Sequence, residues 1–214
     1  MAENSTITFA DGDSRIGTRT YKSGDVYVGE WNLEHEQRRG LGTMTSSNGD
    51  VYVGEWSGDM RHGQGVKTFA DEREYDGAWK RGEMHGWGKM VYASGTVYEG
   101  DWVKDVKHGN GTMMLVDGTV YEGEWRFGGK TGEGKMVYSN GGIYTGTWFE
   151  NDYHGKGKME FPHGFTYIGE WKAMEMHGNG VMMKGDQVFF DGVWCNNKPG
   201  VQTGVDSEVM NYEL

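Results

Sequence analysis

Five histidines, His62, His85, His108, His154 and His177, recur at multiples of 23 residues, and imidazole is the commonest metal ligand in proteins. A ladder of zinc sites is the chemistry that such spacing invites. Distance argues against it. Equivalent positions in stacked strand pairs lie about 9.6 Å apart, whereas Zn–N bonds are about 2.0–2.1 Å. Each histidine therefore reads as a loop residue whose ring fixes the turn before a glycine. Carboxylates are the second possibility, since paired ones can do acid–base work. Glu30, Glu55, Glu74, Asp76, Glu99, Asp101, Glu122, Glu124, Glu170 and Asp191 recur along the whole chain with no cleft to tune them. They read as a solvated face that also discourages edge-to-edge aggregation. P-loop, nucleophile-elbow, zinc and dinucleotide signatures are all missing, so the expectation is a non-enzyme without cofactor or metal.

What positions these residues is a run that recurs along the chain. In VYEGDWVKDVKHGNGTMML (97–115), Tyr98, Gly100 and Trp102 occupy alternate positions, and Gly109, Gly111, Met113 and Leu115 alternate again after a short polar loop. Period two marks a strand with two unlike faces, and two such runs joined by a loop make a β-hairpin. Glycine weakens a strand unless another group must approach closely. Rings beside side-chain-free positions therefore imply tyrosine and tryptophan packed into glycine gaps, with Glu99 and Asp101 on the opposite, wet face.

The ring–Gly–Trp core recurs as YVGEW (27–31), YVGEW (52–56), YDGAW (75–79), YEGDW (98–102), YEGEW (121–125), YTGTW (144–148), YIGEW (167–171) and FDGVW (190–194). The first step is 25 residues and the rest are 23, because the loop at 32–39 carries two more residues, a tolerated insertion or a specific contact. Ser23-Gly24, Asn48-Gly49, Ser94-Gly95, Asp117-Gly118, Asn140-Gly141 and His163-Gly164 punctuate successive hairpins, as two-residue hairpin turns require. Glu72-Arg73 breaks the series and predicts a distorted or longer connection. Thr131-Gly132 replaces the usual His-Gly, and the pattern decays after Trp194.

The pattern Y-x-G-x-W, followed by H-G-x-G, an aromatic and a turn, resembles the MORN repeat (membrane occupation and recognition nexus) over roughly residues 17–200. The resemblance implies side-by-side hairpins in one long twisted sheet. The expected fold is all-β, an elongated single-layer antiparallel sheet of about eight hairpins. Residues 1–20 are assigned as a degenerate N-terminal cap, 21–200 as the array and 201–214 as a tail whose Val205, Val209 and Met210 either pack over the open end or fray. Sixteen strands at about 4.8 Å spacing would make a rod on the order of 75 Å long.

Composition narrows the function classes. The chain of 214 residues holds 38 glycines, 9 tryptophans and 12 tyrosines, with 14% aromatic residues, too many rings for a disordered chain. A net charge of −11 disfavours nucleic acid and weakens attraction to anionic lipid. The single Cys195 provides no disulfide framework. No secretory signal or apolar run of about 20 residues is visible, so the expected location is cytoplasmic.

A single-layer sheet covers its apolar face with its own side chains alone. That face is therefore expected to be a partly exposed concave strip, read as a groove for an extended or helical partner segment, with pure self-packing of the rings as the alternative. Its lining is Tyr52, Trp56, Tyr75, Trp79, Tyr98, Trp102, Tyr121, Trp125, Tyr144, Trp148, Tyr167 and Trp171, with Met113, Met136, Met159 and Met182 adding pliable surface. Repeat-only chains of the MORN type resemble ciliary radial spoke head components. That resemblance implies a protein-binding scaffold of the cilium or flagellum axoneme, a cytoskeletal assembly, with a homodimer through an open edge as a further expectation. The alternative it implies is a membrane–cytoskeleton adaptor of the cell cortex with phospholipid or motor-tail binding, for which Arg38, Arg39 and Arg61 form the available basic cluster.

Overall fold

The computed structural model describes residues 7–9 and 15–202. Val205, Val209 and Met210, with most of the tail and much of the N-terminal cap, lie outside the described residues. Every regular element among the described residues is a β-strand. The chain divides into two units, residues 1–108 and 109–214.

The first unit holds β1 (Thr8–Phe9), β2 (Ile16–Thr20), β3 (Val26–Asn32), β4 (Gln37–Thr45), β5 (Val51–Ser57), β6 (Met60–Thr68), β7 (Glu74–Lys80), β8 (Glu83–Val91) and β9 (Val97–Val103). Each pairs antiparallel with the next. The cap expected over 1–20 thus contributes a paired strand, β2, which completes the array with half a repeat. The second unit is a meander of the same kind. It holds β10 (Val106–Met114, whose first residues precede the boundary), β11 (Val120–Arg126), β12 (Gly129–Val137), β13 (Ile143–Phe149), β14 (Asp152–Glu160), β15 (Phe165–Lys172), β16 (Glu175–Lys184), β17 (Gln187–Cys195) and β18 (Lys198–Gln202). Each unit is a single antiparallel layer of stacked hairpins, as the alternation requires.

Register places glycine opposite glycine at every step from β2 to β9 and from β10 to β17. Gly17, Gly29, Gly42, Gly54, Gly65, Gly77, Gly88 and Gly100 form one row across the first unit. Gly111, Gly123, Gly134, Gly146, Gly157, Gly169, Gly180 and Gly192 form the other. The row is bare because tyrosines lie on it. A Cβ added at Gly134 would sit 2.6 Å from the Tyr121 hydroxyl, and one at Gly65 2.6 Å from Tyr52 Cζ. Rings do fill the side-chain-free positions.

The turns correct two expectations. Except at the last, where Gly185-Asp186 alone separates the paired Lys184 and Gln187, the connections between hairpins have three-residue loops: Tyr21 N donates to Asp25 O (2.8 Å) and Gly24 N to Tyr21 O (2.9 Å), with Gly24 at φ +90°. This is a three-residue loop closed by a residue in left-handed conformation. The two-residue turns lie inside the hairpins instead. Arg81-Gly82, Lys104-Asp105, Glu150-Asn151 and Ala173-Met174 have positive φ at both residues, the requirement of type I′. The connection at 69–73 is neither longer nor distorted. Phe69 N donates to Arg73 O (2.8 Å), and Glu72 takes φ 69°, the place that glycine fills elsewhere.

Candidate protein-binding face

Tyrosine, glycine and tryptophan share one face because they alternate along each strand. Within a repeat the two rings meet edge to face, as in Tyr52–Trp56 (5.1 Å, 89°), and the tyrosine meets the next tryptophan, Trp79, in the same way (5.2 Å, 83°). The pattern repeats in the second unit with Tyr121–Trp125 (5.2 Å) and Tyr121–Trp148 (5.0 Å). This is the geometry that ring quadrupoles favour. Both polar tips are satisfied locally at most positions, Trp148 Nε1 being an exception. The Tyr52 hydroxyl donates to Glu55 O (2.9 Å) and Trp79 Nε1 to Gly65 O (2.9 Å), and their counterparts recur along the chain.

The rings do not form the partly exposed strip that the sequence led us to expect. Tyr52, Trp56, Tyr75, Trp79, Tyr98, Trp102, Tyr121, Trp125, Tyr144, Trp148, Tyr167 and Trp171 are each at most 7% exposed. Met136, Met159 and Met182 are buried with them. The physical reason is a layer of side chains laid over the indoles. The Arg38 guanidinium lies 4.5 Å from the Trp56 ring centre, Arg61 lies 4.4 Å from Trp79, and Lys130 Nζ lies 4.7 Å from Trp148. Arg19 covers Trp31 at 4.9 Å. Tyr153 serves at one position as an aromatic cover, stacked on Tyr144 at 3.8 Å and meeting Trp171 at 5.4 Å.

This row of cations was missed because its members fall in what reads as a polar loop. The signal was parity: Arg61 is four residues before Gly65, so period two places it with the rings. Burial depresses the basicity of Arg61, with Asp105 opposing, and that of Lys130, with Asp152 opposing. Burial also raises the tyrosine hydroxyls, that of Tyr167 to about 12, with the Glu170 charge adding to the rise.

The acidic residues are less uniform than a solvated face. Each H-G-x-G strand bulges before its second glycine, with the register shifting between Gly54 and Glu55. The first glycine of the motif takes positive φ there, as Gly63 does at +57°. The Glu55 carboxylate folds into the space above Gly63 and accepts from Gln64 N (2.7 Å). Glu30 accepts from Leu41 N (3.1 Å) and Glu124 from Glu133 N (3.0 Å) in the same way. The histidines sit beside these bulges within strands, with Glu55 opposite His62 and Glu170 opposite His177. Among the described residues, no group of three or more His, Cys, Asp or Glu side chains is placed to hold a metal ion.

A second device runs along the edge that carries the two-residue turns. The side chain of the second turn residue accepts from the backbone of the preceding hairpin. Asp59 Oδ1 takes Arg38 N (2.9 Å), Asp105 takes Met84 N (2.8 Å), Asn151 takes Lys130 N (2.9 Å) and Asn197 takes Met176 N (2.8 Å). The turn amide returns a bond, Asp105 N to Met84 O at 3.1 Å. Gly82, Gly128 and Met174 hold the intervening positions, so alternate hairpins carry the side-chain clasp. The longer loop of the first hairpin is tied back by an ion pair between Arg19 and Glu36 (2.9 Å).

A family model described as MORN repeat matches residues 35–51, 52–72, 75–97, 98–120, 121–143, 144–164 and 167–187. No curated protein sequence matches the chain. Among solved structures, the TCP domain of Drosophila melanogaster SAS-4 (dCPAP), in complex with a proline-rich motif of Ana2 (dSTIL), aligns at 12% identity with a TM-score of 0.48, covering 78% of this chain and 90% of that one. The TCP10 domain of Danio rerio CPAP, in complex with a STIL peptide, aligns at 14% identity with a TM-score of 0.40, covering 79% and 91%. Likenesses at these scores carry no functional argument.

Proposed function

We propose that this chain, which belongs to the MORN-repeat family, is a non-enzymatic scaffold that binds segments of other proteins. The observation that carries the reading is the half-buried row of cations over the indoles, in a chain of net charge −11. The rings hold the sheet, and the side chains covering them form the surface a partner meets. Arg38 and Arg61 bring positive charge and flat stacking area to that surface, a combination favoured at protein interfaces, and Lys130 adds charge. Chemistry by the repeated carboxylates has no support, because Glu30, Glu55 and Glu124 are committed to backbone amides.

The finer placement we propose is the cytoskeleton of a cilium or flagellum, as part of an axonemal, radial-spoke-like assembly. Its test is fractionation of ciliated cells expressing the tagged protein. Retention in the axoneme after detergent extraction is the expected result, and release into the detergent fraction refutes it. The cortical adaptor reading is weaker, because a net charge of −11 opposes attraction to anionic lipid. Pelleting with anionic vesicles at low salt would revive it.

A further inference from the structure

The second unit contains a notch that departs from the repeat. It lies between the neighbouring two-residue turns Phe127-Gly128 and Glu150-Asn151 and encloses about 600 Å³. Its lining includes Arg126, Phe127, Gly129, Lys130, Phe149 and Glu150. The position after the turn is Met60, Glu83, Val106, Asp152, Glu175 or Lys198 in the other hairpins and glycine only at Gly129. That missing side chain opens the floor to main chain. The walls are phenylalanines at positions that are mostly polar or small elsewhere. Phe127 replaces Gly58, Arg81, Lys104, Glu150, Ala173 and Asn196; Phe149 replaces Ser57, Lys80, Val103, Arg126, Lys172 and Cys195.

Both rings face water. Phe127 is 82% exposed and Phe149 is 55% exposed, whereas the rings of the core are buried. Phe127 holds φ 50°, as the first residue of the other two-residue turns does, so the tight turn of the repeat here carries a large apolar ring. The same hairpin has Thr131 where five of the other motifs have histidine. Four departures from the repeat, Phe127, Gly129, Thr131 and Phe149, thus meet in one place. The charged members of the lining are Arg126, Lys130 and Glu150, an excess of positive charge in an acidic chain.

We infer that this notch is a docking site for a peptide segment of a partner protein that inserts a large apolar side chain between Phe127 and Phe149 and sets carboxylates against Arg126 and Lys130. The apolar wall binds the inserted side chain, and the flanking cations select an acidic segment over a basic one. This site shares Lys130 with the cation row of the ring face, but Phe127, Phe149 and Arg126 belong to it alone, so substitutions at those three test it apart from the row.

The test is selection of random peptides displayed on phage against the full-length protein, followed by binding measurements on the selected sequences. The expected consensus is one Phe, Trp, Leu or Met beside Asp or Glu. Its affinity should fall roughly tenfold or more in Phe127→Asn/Phe149→Thr and again in Arg126→Glu. Asn is chosen because it tolerates positive φ, and circular dichroism and the thermal transition should confirm a folded variant. A basic consensus, no consensus, or peptides that bind the double variant equally well overturn the proposal. So does sedimentation showing that the wild type dimerises and Phe127→Asn does not, since the occupant is then a second copy of the chain.

Discussion

Gly134→Ala tests the packing idea at its most demanding point. The new methyl would lie 2.6 Å from the Tyr121 hydroxyl oxygen, 2.7 Å from Cε2 and 2.9 Å from Cζ, where ordinary contact begins at 3.4 Å. Tyr121 must therefore rise by roughly an ångström. It is confined by Trp125 at 5.2 Å and Trp148 at 5.0 Å, and its hydroxyl donates to Glu124 O at 3.0 Å. Overpacking costs about 1–3 kcal/mol and the lost hydrogen bond about 0.5–1.5 kcal/mol. Replacing glycine returns about 0.4–1 kcal/mol through the unfolded chain. The net expectation is destabilisation of about 2 kcal/mol.

Chemical denaturation of the wild type, Gly134→Ala, Tyr121→Ala and the double variant completes a cycle. Tyr121→Ala alone should cost about 3–5 kcal/mol. In its background Gly134→Ala should cost less than about 1 kcal/mol, because the three atoms nearest the methyl are gone. Gly123→Ala is the control, since its methyl would meet Gly134 Cα at 2.6 Å as well as the tyrosine, and backbone cannot be removed. An equal cost for Gly134→Ala in both backgrounds would refute ring-over-glycine packing as the reason for the glycine row.

Glu72→Gly should stabilise the chain by about 0.5–1 kcal/mol, because relief of a left-handed non-glycine residue outweighs the entropy of an added glycine; a shift in denaturation midpoint checks it. Asn151→Ala removes the acceptor of Lys130 N and should cost about 1–2 kcal/mol, with faster hydrogen exchange at that amide. High pH should unfold the protein. Burial raises the hydroxyls of Tyr27, Tyr52, Tyr75, Tyr121, Tyr144 and Tyr167 above their unfolded value. Above about pH 10 the unfolded chain loses protons that the folded chain keeps. The stability those groups contribute is whole below that pH and falls as pH rises through the folded values, which tryptophan fluorescence and tyrosinate absorbance should report together.

Alternation and spacing were enough to read the strands, the hairpin order and the rings over glycine, because one physical rule repeated eight times leaves little ambiguity. Turn type was misread because Ser-Gly and Asn-Gly serve two-residue and three-residue loops alike. Only the bonds Tyr21 N to Asp25 O and Gly24 N to Tyr21 O distinguish them. The exposure of the ring face was misjudged because Arg38 and Arg61 were read as a basic cluster for lipid and Lys130 was passed over, whereas snorkelling cations cover apolar surface. The Asp59, Asp105, Asn151 and Asn197 clasps were hidden because their partners lie in the preceding hairpin, a distance in sequence that local patterns do not reach. Phe127 and Phe149 were visible as letters, but their meaning depends on which way a turn faces.

Burial of the rings has a consequence for recognition. Tyrosine, glycine and tryptophan recur at nearly the same positions in every hairpin, so a partner that read them alone could slip by one repeat at no cost. Register in such an array has to come from residues that do not recur, as it does in a sheet whose two faces are not otherwise distinguished. The repeat position that Arg38 and Arg61 occupy varies along the chain: Arg38, Arg61, Met84, Lys107, Lys130, Tyr153 and Met176. The turn at Phe127-Gly128 varies more sharply still. A partner that spans several repeats meets a series of side chains that a shift by one repeat does not reproduce, and one peptide side chain seated between Phe127 and Phe149 would fix it at one place. The repeated residues build the support, and the exceptions supply the address.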